Sequence, residues 1–226
     1  MIFVTGDTHI PHDIRKLNTK NFPFQSRLSK RDFLIICGDF GGVWSRNSDE
    51  DKYWIDWLDK KNFTTLFVDG NHENFDLLEE YEVKEWNGGK VHFIRDSVIH
   101  LMRGQVFMID GLKFFTMGGG TSVDKDTRTE GKSWWKQEIP SEEEFSEAFV
   151  NLEINDWEVD YVITHTTSGF IMEKMCYIKE ESQLNRFFNL LYRKLKYKHW
   201  YFGHFHDDVE YSDEKHTLMY GKIIKI

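Results

Sequence analysis

Five times along this chain a short apolar run is followed closely by residues able to hold a metal ion, and this repetition constrains the fold more than any other feature. Ile2–Thr5 leads into Gly6-Asp7, Phe33–Cys37 into Gly38-Asp39, and Thr65–Val68 is soon followed by Gly70-Asn71-His72. Tyr161–Thr164 ends on His165, and His199–Phe202 on Gly203-His204. Runs rich in Ile, Val and Phe with little alternation are what strands covered on both faces require. Functional residues of open α/β sheets gather beyond the carboxyl ends of such strands. The chain is therefore read as one that carries residues far apart in sequence to a common sheet edge.

Between these runs, Asp49–Lys60 has helical spacing, with Tyr53, Trp54, Trp57 and Leu58 three and four apart. Ser141–Leu152 opens on Ser-Glu-Glu-Glu, a cap followed by an acidic first turn. A third helix is expected from about Glu180 to Leu195, with Leu184, Phe187, Phe188, Leu191 and Leu195 on one face. Lys90–Ile94, Val98–Leu101, Val106–Ile109, Leu112–Met117, Val209–Tyr211, Thr217–Tyr220 and Ile223–Ile226 read as short strands joined by tight turns. Helix-separated strands early and hairpin-like strands later predict a mixed α/β sandwich of two sheets with helices outside, in a single domain over residues 1–226. Gly118-Gly119-Gly120 and the polar stretch through Lys136 interrupt this pattern and read as a long functional loop. Aromatic residues make up 16% of the chain, which predicts thick packed layers or an aromatic-lined cleft.

Lys and Arg number 29 against 38 Asp and Glu, a net charge of -9, so the average field repels polyanions and an extended nucleic-acid track is not expected. Cys37 and Cys176 are the only cysteines and form no CxxC pair, which excludes a disulfide scaffold and a thiolate zinc knuckle. The opening MIFVTGD reads as a strand rather than an export signal, and no run approaches the ~18 apolar residues of a membrane span. A cytoplasmic enzyme or binding protein is the expected class.

The candidate ligands are Asp7, His9, Asp39, Asn71, His165, His204 and His206. In Asp7-x-His9 and His204-x-His206 an extended backbone would put both side chains on one side, a way to grip one ion from two directions. Carboxylate, amide and imidazole donors suit Mn, Fe, Zn or Ni better than calcium. Seven ligands exceed the needs of one four-coordinate ion, whereas two ions sharing Asp39 would use them all and leave positions for water and substrate. The glycines before these ligands are expected to let the chain turn sharply after each strand and present a ligand without a Cβ clash.

The ordered elements Gly6-Asp7-Thr8-His9, Gly38-Asp39, Gly70-Asn71-His72-Glu73, His165 and Gly203-His204-Phe205-His206 resemble the calcineurin-like metallophosphoesterase superfamily, in its small bacterial and phage-type members. The resemblance implies a four-layer αββα sandwich with two mixed sheets, flanking helices and a dinuclear centre of divalent or mixed-valence ions, Mn or Fe ahead of Zn or Ni. It implies Asp7, His9, Asp39 and His206 for one ion, and Asp39, Asn71, His165 and His204 for the other. His72 would stand beside the phosphoryl group as the catalytic residue, and Asn71 would also contact substrate. The implied reaction is hydrolysis of a small or nucleotide-like phosphoester, monoester or diester, by a metal-activated hydroxide. A nuclease acting on nucleic-acid ends and a non-catalytic metal-bearing scaffold are the alternatives. The protein phosphatases of the superfamily continue the second motif as G-D-x-V-D-R-G, but here Phe40-Gly41-Gly42-Val43-Trp44 follows Asp39, and Ile10 replaces the common glycine after His9. A protein phosphatase is therefore not expected. Arg128, in the long loop, is a candidate phosphate clamp or else an exposed arginine, and Trp134 and Trp135 would wall the cleft or pack in the core.

Overall fold

A computed structural model describes residues 1–176 and 182–226. Its first seven strands are β1 (Ile2–Thr5), β2 (Phe33–Ile36), β3 (Thr64–Phe67), β4 (Val83–Trp86), β5 (Gly89–Arg95), β6 (Val98–Leu101) and β7 (Gln105–Ile109). They are followed by β8 (Leu112–Met117), β9 (Tyr161–Thr164), β10 (His199–Phe202), β11 (Val209–Tyr211), β12 (His216–Leu218) and β13 (Ile223–Lys225). One sheet has seven strands in the order β13-β1-β2-β3-β6-β5-β4, the other six in the order β11-β12-β10-β9-β8-β7. Both are mixed: β1, β2, β3 and β6 run parallel in the first, and β8, β9, β10 and β12 in the second, with antiparallel strands outside them. The helices are α1 (Asp49–Asp59), α2 (Phe75–Leu78), α3 (Glu142–Ile154), α4 (Gly169–Lys174) and α5 (Gln183–Lys194).

The period of two along each strand divides the core into three seams and so fixes four layers. On β1, β2 and β3, residues Phe3, Leu34, Ile36 and Phe67 face a cluster with Ile55 and Leu58 of α1. The alternate residues Val4, Ile35 and Leu66 face inward and meet Phe114, Ile163 and Tyr201 of the other sheet. The opposite face of that sheet, with Phe115, Val162, Trp200 and Phe202, packs on Phe145 and Leu152 of α3 and on Leu184, Phe188 and Leu191 of α5. Helix, sheet, sheet, helix is the expected αββα sandwich, and the aromatic surplus fills these seams: Trp200, Phe40, Phe63, Phe67, Phe107, Phe114 and Phe115 are among the largest fully buried side chains.

Local signals explain the helix ends. Ser48 and Ser182 accept from Asp51 N and Asn185 N, and Ser141 forms a capping box with Glu144, contacts of about 1 kcal/mol each. The third expected helix begins at Gln183; its predicted residues Glu180 and Glu181 lie outside the described residues. On α1 the buried face is carried by Ile55 and Leu58, while Tyr53 is largely exposed and only packs edge-on against Trp54. The strand β4 and the short helices α2 and α4 were not legible: β4 is an exposed, charged edge, and the other two have one turn or little more. No helix among the described residues is long and apolar enough to cross a membrane.

Candidate metal centre

Because β1, β2, β3, β9 and β10 all end at one edge of the sandwich, their following residues converge there. Donor atoms of Asp7, His9, Asp39 and His206 lie within 4.8 Å of one another. His9 Nε2 is 3.1 Å from Asp39 Oδ2, and His206 Nε2 is 3.3 Å from Asp7 Oδ2. The other oxygen of Asp39 faces a second set of donors. His165 Nε2 lies 3.2 Å from Asp39 Oδ1, 3.1 Å from Asn71 Oδ1 and 3.2 Å from His204 Nδ1. All seven sequence-predicted ligands are thus brought together, with Asp39 between the two groups.

The convergence does not come from extended backbone. His9, Asp39, His204 and His206 have φ of 32°, 46°, 74° and 51°, left-handed values that cost a non-glycine residue of order 1–3 kcal/mol. Neighbouring loops hold them there: Thr8 N and His9 N both donate to Asp39 O, and His204 N donates to the Asp7 carboxylate. The glycines meet the expectation in two ways: Gly38 turns the chain at φ 88°, and Gly70 and Gly203 leave space that a Cβ would fill. A Cβ on Gly70 would lie 2.1 Å from Asp39 Oδ1, and one on Gly203 would lie 2.1 Å from Asp7 Oδ1. Neither residue has a positive φ; at both, the space belongs to a ligand carboxylate.

Several residues that sequence reasoning missed orient the ligands. Asp13 Oδ2 accepts from His9 Nδ1 at 2.9 Å, which turns His9 Nε2 toward the cluster. His165 Nδ1 donates to Cys37 O at 2.9 Å with the same effect on its Nε2. Asn71 Nδ2 donates to Ser122 Oγ, which donates to Glu138, so the long loop supplies the contact that points Asn71 Oδ1 at His165. Lys16 Nζ is bonded to the carbonyls of Gly6, Asp7 and Tyr220 beneath the first motif, and the Tyr220 ring stacks on His206. Glu73 accepts from Phe40 N and Gly41 N and so braces the loop that carries Asp39. A carboxylate four residues after a ligand histidine was a readable signal for Asp13; Ser122 and Lys16 had none.

His72 N donates to Asp39 Oδ1 at 2.8 Å, and its ring lies 5.4 Å from that of His9. Arg128 is not an exposed arginine. Its Nη1 and Nη2 lie 3.3 and 3.4 Å from His72 Nδ1 and Nε2, its Nε is 2.8 Å from Asp124 Oδ1, and its side chain is 17% exposed. Trp135 is buried and donates to Asp76, as the packing alternative expected, while Trp44 lines the cavity beside the cluster.

The charges show what the centre demands. Burial opposes ionisation of Asp39, yet the His165 and His9 imidazoles hold it well below the usual carboxylate range. Burial likewise opposes charge on His165, but Asp39 and Asp7 carry it up to about 10. Burial and then the His165 charge push His204 down to about 4, and burial lowers His72 with Arg128 acting in the same direction. Two buried carboxylates thus draw positive charge to the middle of the cluster, and oxygen and imidazole donors turned inward fit a transition-metal cation there.

The family model described as calcineurin-like phosphoesterase matches residues 1–208. No curated protein matches the sequence. Among solved structures, phosphopantetheinyl hydrolase (PptH) from Mycobacterium tuberculosis is similar over 97% of this chain and 89% of its own, at 15% identity and a TM-score of 0.46. The family match and the Asp7, His9, Asp39 and His206 cluster support a metal-dependent hydrolase.

Proposed function

Since this chain belongs to the calcineurin-like phosphoesterase family, we propose that it hydrolyses a small phosphoester at a two-metal centre. Asp7, His9, Asp39 and His206 would hold one ion, and Asp39, Asn71, His165 and His204 the other. When bound, such a pair, for which the donor set suits Mn, Fe, Zn or Ni, draws charge from phosphoryl oxygens and makes water nucleophilic near neutral pH. The observation that carries this reading is the division of Asp39, whose Oδ2 faces His9 and whose Oδ1 faces His165.

The chain's own residues supply the rest. Arg128 presents a guanidinium beside His72, where it would take non-bridging phosphoryl oxygens. Asn71, whose amide Ser122 orients, would also contact substrate. His72, fixed through its backbone bond to Asp39, would give an N–H to the departing oxygen as its bond to phosphorus breaks. The test is metal reconstitution with Mn, Fe, Zn and Ni, followed by metal analysis and turnover of aryl phosphomonoesters and phosphodiesters. We expect two ions per chain, turnover of at least one ester class, loss of metal in Asp39→Asn, and in His72→Gln a loss of turnover with metal retained. A chain that binds two ions yet hydrolyses neither ester would be a scaffold, and full metal content in Asp39→Asn would remove the bridging role.

A further inference from the structure

A cavity of about 540 Å³ opens beside the centre, within the ~300–1,000 Å³ range of small-molecule sites. His9, His72 and His206 line it together with Ile10, Pro11 and Trp44, and His12 and Asp13 add polar groups. The cavity therefore begins where phosphoester chemistry would occur and continues along an apolar wall.

That wall is fixed in advance. Trp44 N donates to Asp51 Oδ2 at 2.8 Å, and Trp44 O accepts from Asn74 Nδ2 at 2.8 Å. Asn74 caps α2 two residues after His72, so the turn that carries His72 also holds Trp44. The Trp44 ring meets Trp135 edge-on, with centroids 5.6 Å apart and planes at 81°, and Trp135 Nε1 donates to Asp76 Oδ2 at 2.9 Å. A buried tryptophan anchored by a carboxylate thus braces a second tryptophan at the cavity. An aromatic platform held in this way costs little further ordering when a ring lies on it.

We propose that this cavity is the leaving-group subsite and takes a flat aromatic group, aryl or nucleoside, stacked on Trp44. This rests on the phosphoesterase reading above. With the phosphoryl group beside His72, the cavity that His72 shares with Trp44 is the space open to its leaving group. Ile10, Pro11 and Trp44 offer no side-chain hydrogen-bond acceptor, and of the polar lining residues Asp13 is engaged by His9 Nδ1, which leaves His12, so a polyhydroxylated or peptide leaving group would find few partners for the hydration it loses. A planar ring loses little and gains stacking.

The experiment compares the full-length, metal-reconstituted protein with Trp44→Ala and Trp44→Phe on matched phenyl and ethyl phosphoesters. It also measures adenosine binding by saturation-transfer NMR in the presence of a chelator. The ratio of phenyl to ethyl kcat/KM should fall about tenfold in Trp44→Ala, through KM, and recover in Trp44→Phe. Saturation transfer to adenosine should weaken in Trp44→Ala and return in Trp44→Phe. An unchanged phenyl-to-ethyl ratio, or adenosine binding indifferent to Trp44, overturns the subsite. Because the NMR arm needs neither metal nor turnover, a protein that hydrolyses no ester would defeat the phosphoesterase reading while adenosine still decides the subsite.

Discussion

Replacing Gly203 with alanine should disable the metal centre without altering any ligand. A Cβ at this position would lie 2.1 Å from Asp7 Oδ1 and 2.7 Å from Cys37 O. Real Cβ atoms essentially never approach closer than 3.0 Å, so the carboxylate must retreat by roughly 0.9 Å, far up the repulsive wall of a close-packed contact. It cannot retreat alone, because it accepts from His204 N through both oxygens, at 3.1 Å each, and faces His206 Nε2 at 3.3 Å. Two ligand histidines are displaced with it. Overpacking of this kind costs about 1–3 kcal/mol of stability, and disturbed ligand support costs about 10- to 100-fold in metal affinity. Gly111→Ala is the matched control: Gly111 has φ 79° but nothing within 4 Å of a Cβ, so alanine there carries backbone strain of about 1–2 kcal/mol and no clash. Calorimetric Mn titration with thermal melts should show weakened binding in Gly203→Ala and unaltered binding in Gly111→Ala. Wild-type affinity in Gly203→Ala would refute the argument that this glycine exists to make room for Asp7.

Asp13→Asn should lower metal affinity about 10- to 100-fold while changing stability by no more than about 0.5 kcal/mol, because the half-exposed carboxylate acts through His9 Nδ1 rather than through packing. Chelator competition measures this, and unchanged affinity would show that His9 needs no such hold. His216 provides a pH test that involves none of the candidate ligands. It is fully buried against Trp200, donates to Glu214 O, and burial lowers it from 6.5 to about 4. Between those values the unfolded chain takes a proton that the folded state refuses, so its contribution is complete above pH 6.5 and is lost as pH falls toward 4. Urea unfolding of metal-free protein at pH 7 and pH 4 should show wild type losing about 3 kcal/mol more than His216→Phe. Equal losses in both proteins would count against it.

What could be read from the sequence follows the range of the interactions. The strand ends, the Ser141 cap and the residues that meet at the sheet edge were legible because each is written within a few adjacent residues, as in Phe33–Cys37 before Asp39 or Ser141 before Glu144. Alternation along β1 to β3 was hidden, since both faces are apolar and only the three seams reveal which residue faces which way. Residues that act on ligands across the chain were beyond reach: Ser122 reaches Asn71 over 51 residues, and the Cys37 carbonyl reaches His165 over 128. Trp44 escaped notice for a similar reason. Its indole belongs to the cavity only because Asp51, Asn74 and Trp135 hold it there.

The left-handed ligands carry the same lesson into energetics. Four non-glycine residues at φ between 32° and 74° would not keep those values in an isolated turn, where strain of order 1–3 kcal/mol each opposes them. Here the Asp39 carbonyl accepts from Thr8 N and His9 N, the Phe40 carbonyl accepts from Ile10 N, and the Asp7 carboxylate accepts from His204 N. Each motif thereby holds the next one in the conformation that aims its ligand. The first sheet supplies Asp7 and Asp39 and the second supplies His165, His204 and His206, so neither sheet edge can assume this geometry unless the two are packed together. Assembly of the donor cluster and closure of the seam between the sheets are therefore one event.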